Sequence, residues 1–129
     1  MDQKERFQLG MDVLEKLVSK QAIEQVHEME KVSPIFYDLI VGFGYGELWG
    51  QDTGITMANR SMITISSLIT QGSFEQLEFH LGVALKAGLS KEEIIGTIIH
   101  LSGYTGFPKA VKAMQMAHKV FQSIEETNK

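Results

Sequence analysis

Arg60 is one of two arginines in the chain, and the polar residues that follow it are spaced for a helix. Arg60, Thr64, Ser67 and Gln71 fall at i, i+4, i+7 and i+11, one polar stripe on an otherwise apolar segment. A guanidinium beside buried segments must be paired, because an unpaired buried charge is very costly. Two partners fit: a protein carboxylate such as Glu47, or a carboxylate on a ligand, gripped in bidentate fashion. His80 lies on the flank of another helix beside Ala84 and Ala87, whose small side chains leave room. It is either a satisfied structural histidine or, facing a cleft, a general acid or base. His100 and Tyr104 stand one turn apart on a face with Gly96, Thr97 and Gly103, where glycine permits close helix packing or leaves space for a small ligand. His27 and His118 sit in charged amphipathic surroundings and read as surface.

Other chemistries are excluded by what the chain lacks. It contains no cysteine, so disulfides, thiolate zinc sites, thiol nucleophiles and dithiol redox chemistry are ruled out. The four histidines include no pair at i+3 or i+4 and no HExxH, so no metal site is expected. There is no Walker-type loop and no GxSxG elbow, and Gly42-x-Gly44-x-Gly46 follows a helix rather than a strand. Twelve Lys and Arg against sixteen Asp and Glu give −4, without the basic excess that a nucleic-acid binder needs. No uncharged apolar stretch reaches about 18 residues, so no membrane span is expected. The start, Met1 to Arg6, lacks an apolar signal core, and the expectation is a soluble cytoplasmic protein.

Helices must position these groups. The apolar residues recur at helical rather than alternating spacing, and the only prolines are Pro34 and Pro108. A first helical stretch runs roughly from Lys4 to Lys31, with a break near Ser19. Ser33-Pro34 fits an N-cap followed by proline at the first helical position. The helix it starts ends among Gly42, Gly44, Gly46 and Gly50, a region too glycine-rich for regular helix and expected to be irregular. Met57 to Gln71 forms a helix closed by Gly72. Ser73 opens the next and Gly88 closes it. Ser90 and Glu93 form a capping box for a helix reaching about Gly103, and Pro108 starts the last. The fold class is therefore all-α, a compact domain of about five to seven helices. We read one domain over residues 1–129, with 1–33 an N-terminal helical segment, 34–121 the core and 122–129 a polar tail.

Two helices are too apolar for a small monomer. Neither Ser61 to Gly72 nor Ile94 to Thr105 contains a charge, whereas a surface helix normally carries a charged face. Self-association would cover that surplus, the alternative being that the long first helices wrap the core of a monomer.

Read in order, several segments resemble the carboxymuconolactone decarboxylase family. Phe43-Gly44-Tyr45-Gly46-Glu47-Leu48-Trp49, then Gly54-Ile55 and Arg60, is similar to its opening motif. Gln76-Leu77-Glu78-Phe79-His80, then Ala84 through Ile94, resembles its centre, and Tyr104-Thr105-Gly106-Phe107-Pro108-Lys109-Ala110 its closing signature. The match runs from about Pro34 to Val120. The resemblance implies an alkylhydroperoxidase D-like helical fold assembled as a homotrimer or homohexamer. It also implies a choice of chemistry. The peroxidase branch needs a Cys-x-x-Cys pair where this chain holds Ser73 and Gln76. The decarboxylase branch needs neither cysteine nor cofactor, and its substrate is a small carboxylated lactone. On that resemblance Arg60 would bind a carboxylate or the developing oxyanion, His80 would deliver a proton, and Glu47 would orient or charge His80. Trp49, Tyr104, His100 and Thr64 would line the substrate. The alternative is a family member that binds a small acidic ligand, or only assembles, without this catalysis.

Overall fold

The computed structural model describes residues 1–127, and among them it contains seven α-helices, one π-helix and no strand. The packing divides at Ile55–Thr56 into two compact units. The segment boundary read at residue 33 therefore falls inside the first unit.

The first unit holds α1 (Gln3–Leu17), α2 (Lys20–Val32), α3 (Pro34–Asp38) and the π-helix (Leu39–Trp49). Each of the three α-helix starts is chemically marked. Asp2, Ser19 and Ser33 accept from the amides of Glu5, Ala22 and Phe36, satisfying donors that the helices cannot. Val18 is extended, which makes the break between α1 and α2. Val13, Leu14, Leu17, Tyr37 and Val41 form the buried interior. Tyr37 also stacks edge-on against Phe7, and its hydroxyl bonds Nδ1 of the exposed His27.

The glycine-rich stretch is not irregular, as the sequence suggested, but an 11-residue π-helix. Its glycines allow neighbouring backbone to come close. A Cβ on Gly46 would collide with the carbonyl oxygen of Arg6, and one on Gly10 of α1 would collide with that of Val41. The two helices touch backbone to backbone, and glycine is the residue type that permits it.

The second unit holds α4 (Met57–Gln71), α5 (Phe74–Lys86), α6 (Lys91–Thr105) and α7 (Phe107–Thr127). Gly72 at φ 76° ends α4, and Gly88 at φ 109° follows α5. Both halves of the Ser90–Glu93 capping box are present, at 3.0 Å each. Ser73 precedes α5 without a side-chain cap. Residues 122–127, read as tail, continue α7, while 128 and 129 lie outside the described residues. Ile65, Ile69, Leu77, Leu81, Ile94 and Ile98 interlock with the alanine stripe Ala110, Ala113 and Ala117. Helix α5 packs on α4 and α7, and α6 packs on α7 and α4.

The charge-free helices are only half covered by this core. Ile99 is 60% exposed and Tyr104 79% exposed on the outer side of α6, next in sequence to exposed Phe107 and Val111 at the start of α7. No helix among the described residues is long and apolar enough to cross a membrane.

Candidate functional site

The candidate residues are distributed over both units. Glu47 and Trp49 occupy the last turn of the π-helix in the first unit. Glu47 is about one-third exposed, and its Oε1 lies 3.8 Å from Nη1 of Arg6. Nη2 of Arg6 reaches Oδ2 of Asp38 at 3.5 Å, so one cation serves two carboxylates. The Nε of Arg6 is buried against Gly42 and makes no hydrogen bond. An unmet buried donor of this kind costs about 1–3 kcal/mol. Tyr45, in the same π-helix, is held protonated by burial, which pushes its hydroxyl above the usual tyrosine range.

Arg60, Thr64 and His80 belong to the second unit. Arg60 is buried, with 9% of its surface exposed, in the first turns of α4. Thr64, one turn later, spends its hydroxyl on the carbonyl of Arg60 at 2.8 Å, which fixes its rotamer and occupies its proton. His80 rides on α5, which packs against α4, and its ring meets Phe79 edge-on at 5.0 Å between centroids. Burial strips water from the imidazole and lowers its pKa to about 4. His80 is therefore neutral at pH 7, a proton acceptor rather than a standing donor.

His100 and Tyr104 come together, with rings 5.3 Å apart, but on the outer face of α6. His100 lines a groove of about 360 Å³ between α4 and α6 with Met62, Ser66, Gly96 and Thr97. Arg60, Thr64 and His80 do not line that groove. A Cβ on Gly96 or Gly103 would touch nothing within 4 Å, so these glycines leave open space rather than serving close packing inside the unit. Among the described residues no group of three or more His, Asp or Glu is placed to hold a metal ion.

Sequence reasoning does not single out Arg6 and Asp38, whose contact spans 32 positions. A signal for Arg6 is nevertheless present. Arg6 and Gly10 stand four apart, as do Gly42 and Gly46, the pattern of two helix faces that can approach closely.

Comparison with other proteins identifies the family. The model of the carboxymuconolactone decarboxylase family matches residues 34–119, and the chain belongs to that family. It is similar over its whole length to 4-carboxymuconolactone decarboxylase of Acinetobacter baylyi, with 31% identity over 134 residues and 99% of that protein covered. An uncharacterised 15.0 kDa protein of Paracoccus denitrificans is 29% identical over 100 residues, 76% of this chain and 74% of its own length. Nitrosuccinic acid decarboxylase of Metarhizium robertsii is 28% identical over 87 residues, 67% of this chain and 60% of its own. Two of these three relatives are named for removing carbon dioxide from an acid.

Proposed function

We propose that the chain is a cofactor-independent decarboxylase acting on a small carboxylated lactone or a related acid, as a homotrimer or homohexamer in the cytoplasm. The observation that carries this reading is a buried arginine and a desolvated, neutral histidine on two helices packed together, in a chain without thiols. The names of two relatives point the same way. 4-Carboxymuconolactone and nitrosuccinic acid both carry a carboxylate that can leave as carbon dioxide while its bonding electrons pass to an acceptor group in the same molecule.

In the proposed reaction, Arg60 pairs with the substrate's negative charge and follows it as it moves onto the acceptor oxygen. Preorganised charge of this kind is usually the largest catalytic contribution. The carbon–carbon bond to the carboxylate breaks, its electron pair enters the conjugated acceptor, and the carbon later takes one proton. His80, neutral before substrate binds, takes that proton from solvent when an anionic substrate arrives, because a nearby negative charge favours imidazolium, and passes it to the carbon. Glu47 completes the charge balance, and Trp49 walls the substrate. In this reading the exposed face with Ile99, His100 and Tyr104 is covered by another copy of the chain.

The test is turnover of 4-carboxymuconolactone, nitrosuccinic acid and a panel of lactones and β-keto acids, followed by carbon dioxide release. Release from at least one, lost about 10²–10⁴-fold in His80→Ala, supports the reading. Saturable binding without release would favour an acid-binding protein instead.

A further inference from the structure

We propose that Arg6 is the positioning residue for Glu47, holding its carboxylate in place from a neighbouring helix for the part assigned to Glu47 in the proposed decarboxylation. The inference rests on that functional reading for its kinetic consequence, but its geometry lies wholly within the first unit.

Three observations converge on it. Within the first unit, the cation paired with Glu47 is Arg6, at 3.8 Å. That distance is an ion pair and not a hydrogen bond, so this contact leaves the lone pairs of Glu47 available to another group. Next, the contact is built by backbone. A Cβ on Gly46, the residue before Glu47, would strike the carbonyl oxygen of Arg6 itself, and one on Gly42 would lie 3.2 Å from both Cγ and Nε of Arg6. The π-helix thus leaves out side chains where Arg6 passes. Finally, the arrangement gives up a hydrogen bond at the buried Nε of Arg6. A pair selected for stability alone has no reason to keep an unmet donor, whereas a pair selected for where it puts two Nη groups does.

Asp38 completes the device. Its Oδ2 holds Nη2 at 3.5 Å, while Nη1 lies 3.8 Å from Glu47, so each terminal nitrogen serves a different carboxylate. Arginine suits this task because its planar fork presents several donors in fixed directions, which lysine cannot copy.

The experiment compares wild type, R6Q, R6K, E47Q and R6Q/E47Q in the full chain, with K31Q as a control for an exposed pair elsewhere in the unit. In turnover, R6Q is expected to lower kcat about 10- to 100-fold with KM within about twofold, since misplacing a reacting group acts on the chemical step. R6K should recover part of kcat, K31Q should match wild type, and R6Q should cost nothing further once Glu47 is Gln. Unchanged kcat in R6Q, or R6Q and E47Q losses that multiply independently, would overturn the proposal while leaving the decarboxylase reading intact. Urea unfolding of wild type, R6Q, E47Q and the double variant supplies a readout that needs no substrate. Coupling between Arg6 and Glu47 should appear as about a 1.5- to 5-fold departure from additivity in the folding constant. If wild type releases no carbon dioxide from any acid, the decarboxylase reading fails by itself, and the unfolding cycle decides whether Arg6 holds Glu47: absence of coupling refutes it.

Discussion

His80 makes a prediction about stability that needs no knowledge of the substrate. Its pKa falls from 6.5 to about 4 on burial. The unfolded chain takes up this proton as pH drops below about 6.5, whereas the folded chain resists it until about 4. Through that window the unfolded state binds more protons, so stability must fall as pH falls. A tenfold change in proton affinity is worth about 1.4 kcal/mol, so the full loss is about 3 kcal/mol, most of it between pH 7 and 4.5. His80→Asn removes the titration while keeping a polar group of similar reach. Urea unfolding at pH 7 and 4.5, at one fixed protein concentration, should show wild type losing about 2–3 kcal/mol more than His80→Asn. Every other histidine and carboxylate titrates in both proteins and cancels in the difference. Equal losses in the two proteins, or an NMR titration of the His80 ring with a midpoint near 6.5, would refute the desolvation argument.

Gly10→Ala should destabilise the protein by about 1–3 kcal/mol by overpacking, because its Cβ would collide with the carbonyl oxygen of Val41; unfolding that matches wild type would mean α1 and the π-helix can separate at no cost. Ile99→Asp, placing a charge on the exposed face of α6, should lower the assembly number seen in light scattering while far-UV circular dichroism stays helical. A wild-type protein that scatters as a 14.4 kDa monomer at micromolar concentration would remove the oligomer from the reading. Metal-free protein should show no reduction of alkyl hydroperoxides with any dithiol, since no residue can form the attacking thiolate; rates above solvent would contradict it.

Helix ends are legible in the sequence because caps are local chemistry. Ser19, Ser33-Pro34, Gly72 and the Ser90–Glu93 box each act within a few residues, and the structure places a boundary at each. The π-helix is not legible. Its wider turn departs from the 3.6-residue spacing that marks an α-helix, and local propensity counts its glycines against any helix. The approach of α1, distant in sequence, explains Gly42, Gly46 and Gly50. The family's motif residues can be named from their order, but order gives no side-chain environment. That His80 is desolvated, that Thr64 bonds back to Arg60, and that Tyr104 faces outward depend on which helix packs where. Arg6 is harder to find: its neighbours along the chain form an ordinary charged helix start, and its spacing to Gly10 gains meaning only once α1 lies against Gly42 and Gly46.

The backbone contact between α1 and the π-helix also bears on how such proteins diversify. Arg6 and Gly10 lie ahead of the 34–119 stretch that the family model matches, yet they press directly on residues inside it. Drift in α1 can therefore shift the carboxylate of Glu47 while the shared motifs stay letter for letter the same. Exchanging this first helix between relatives becomes a way to retune a shared segment from outside it. Two members with identical motifs but different leading helices then need not prefer the same acid.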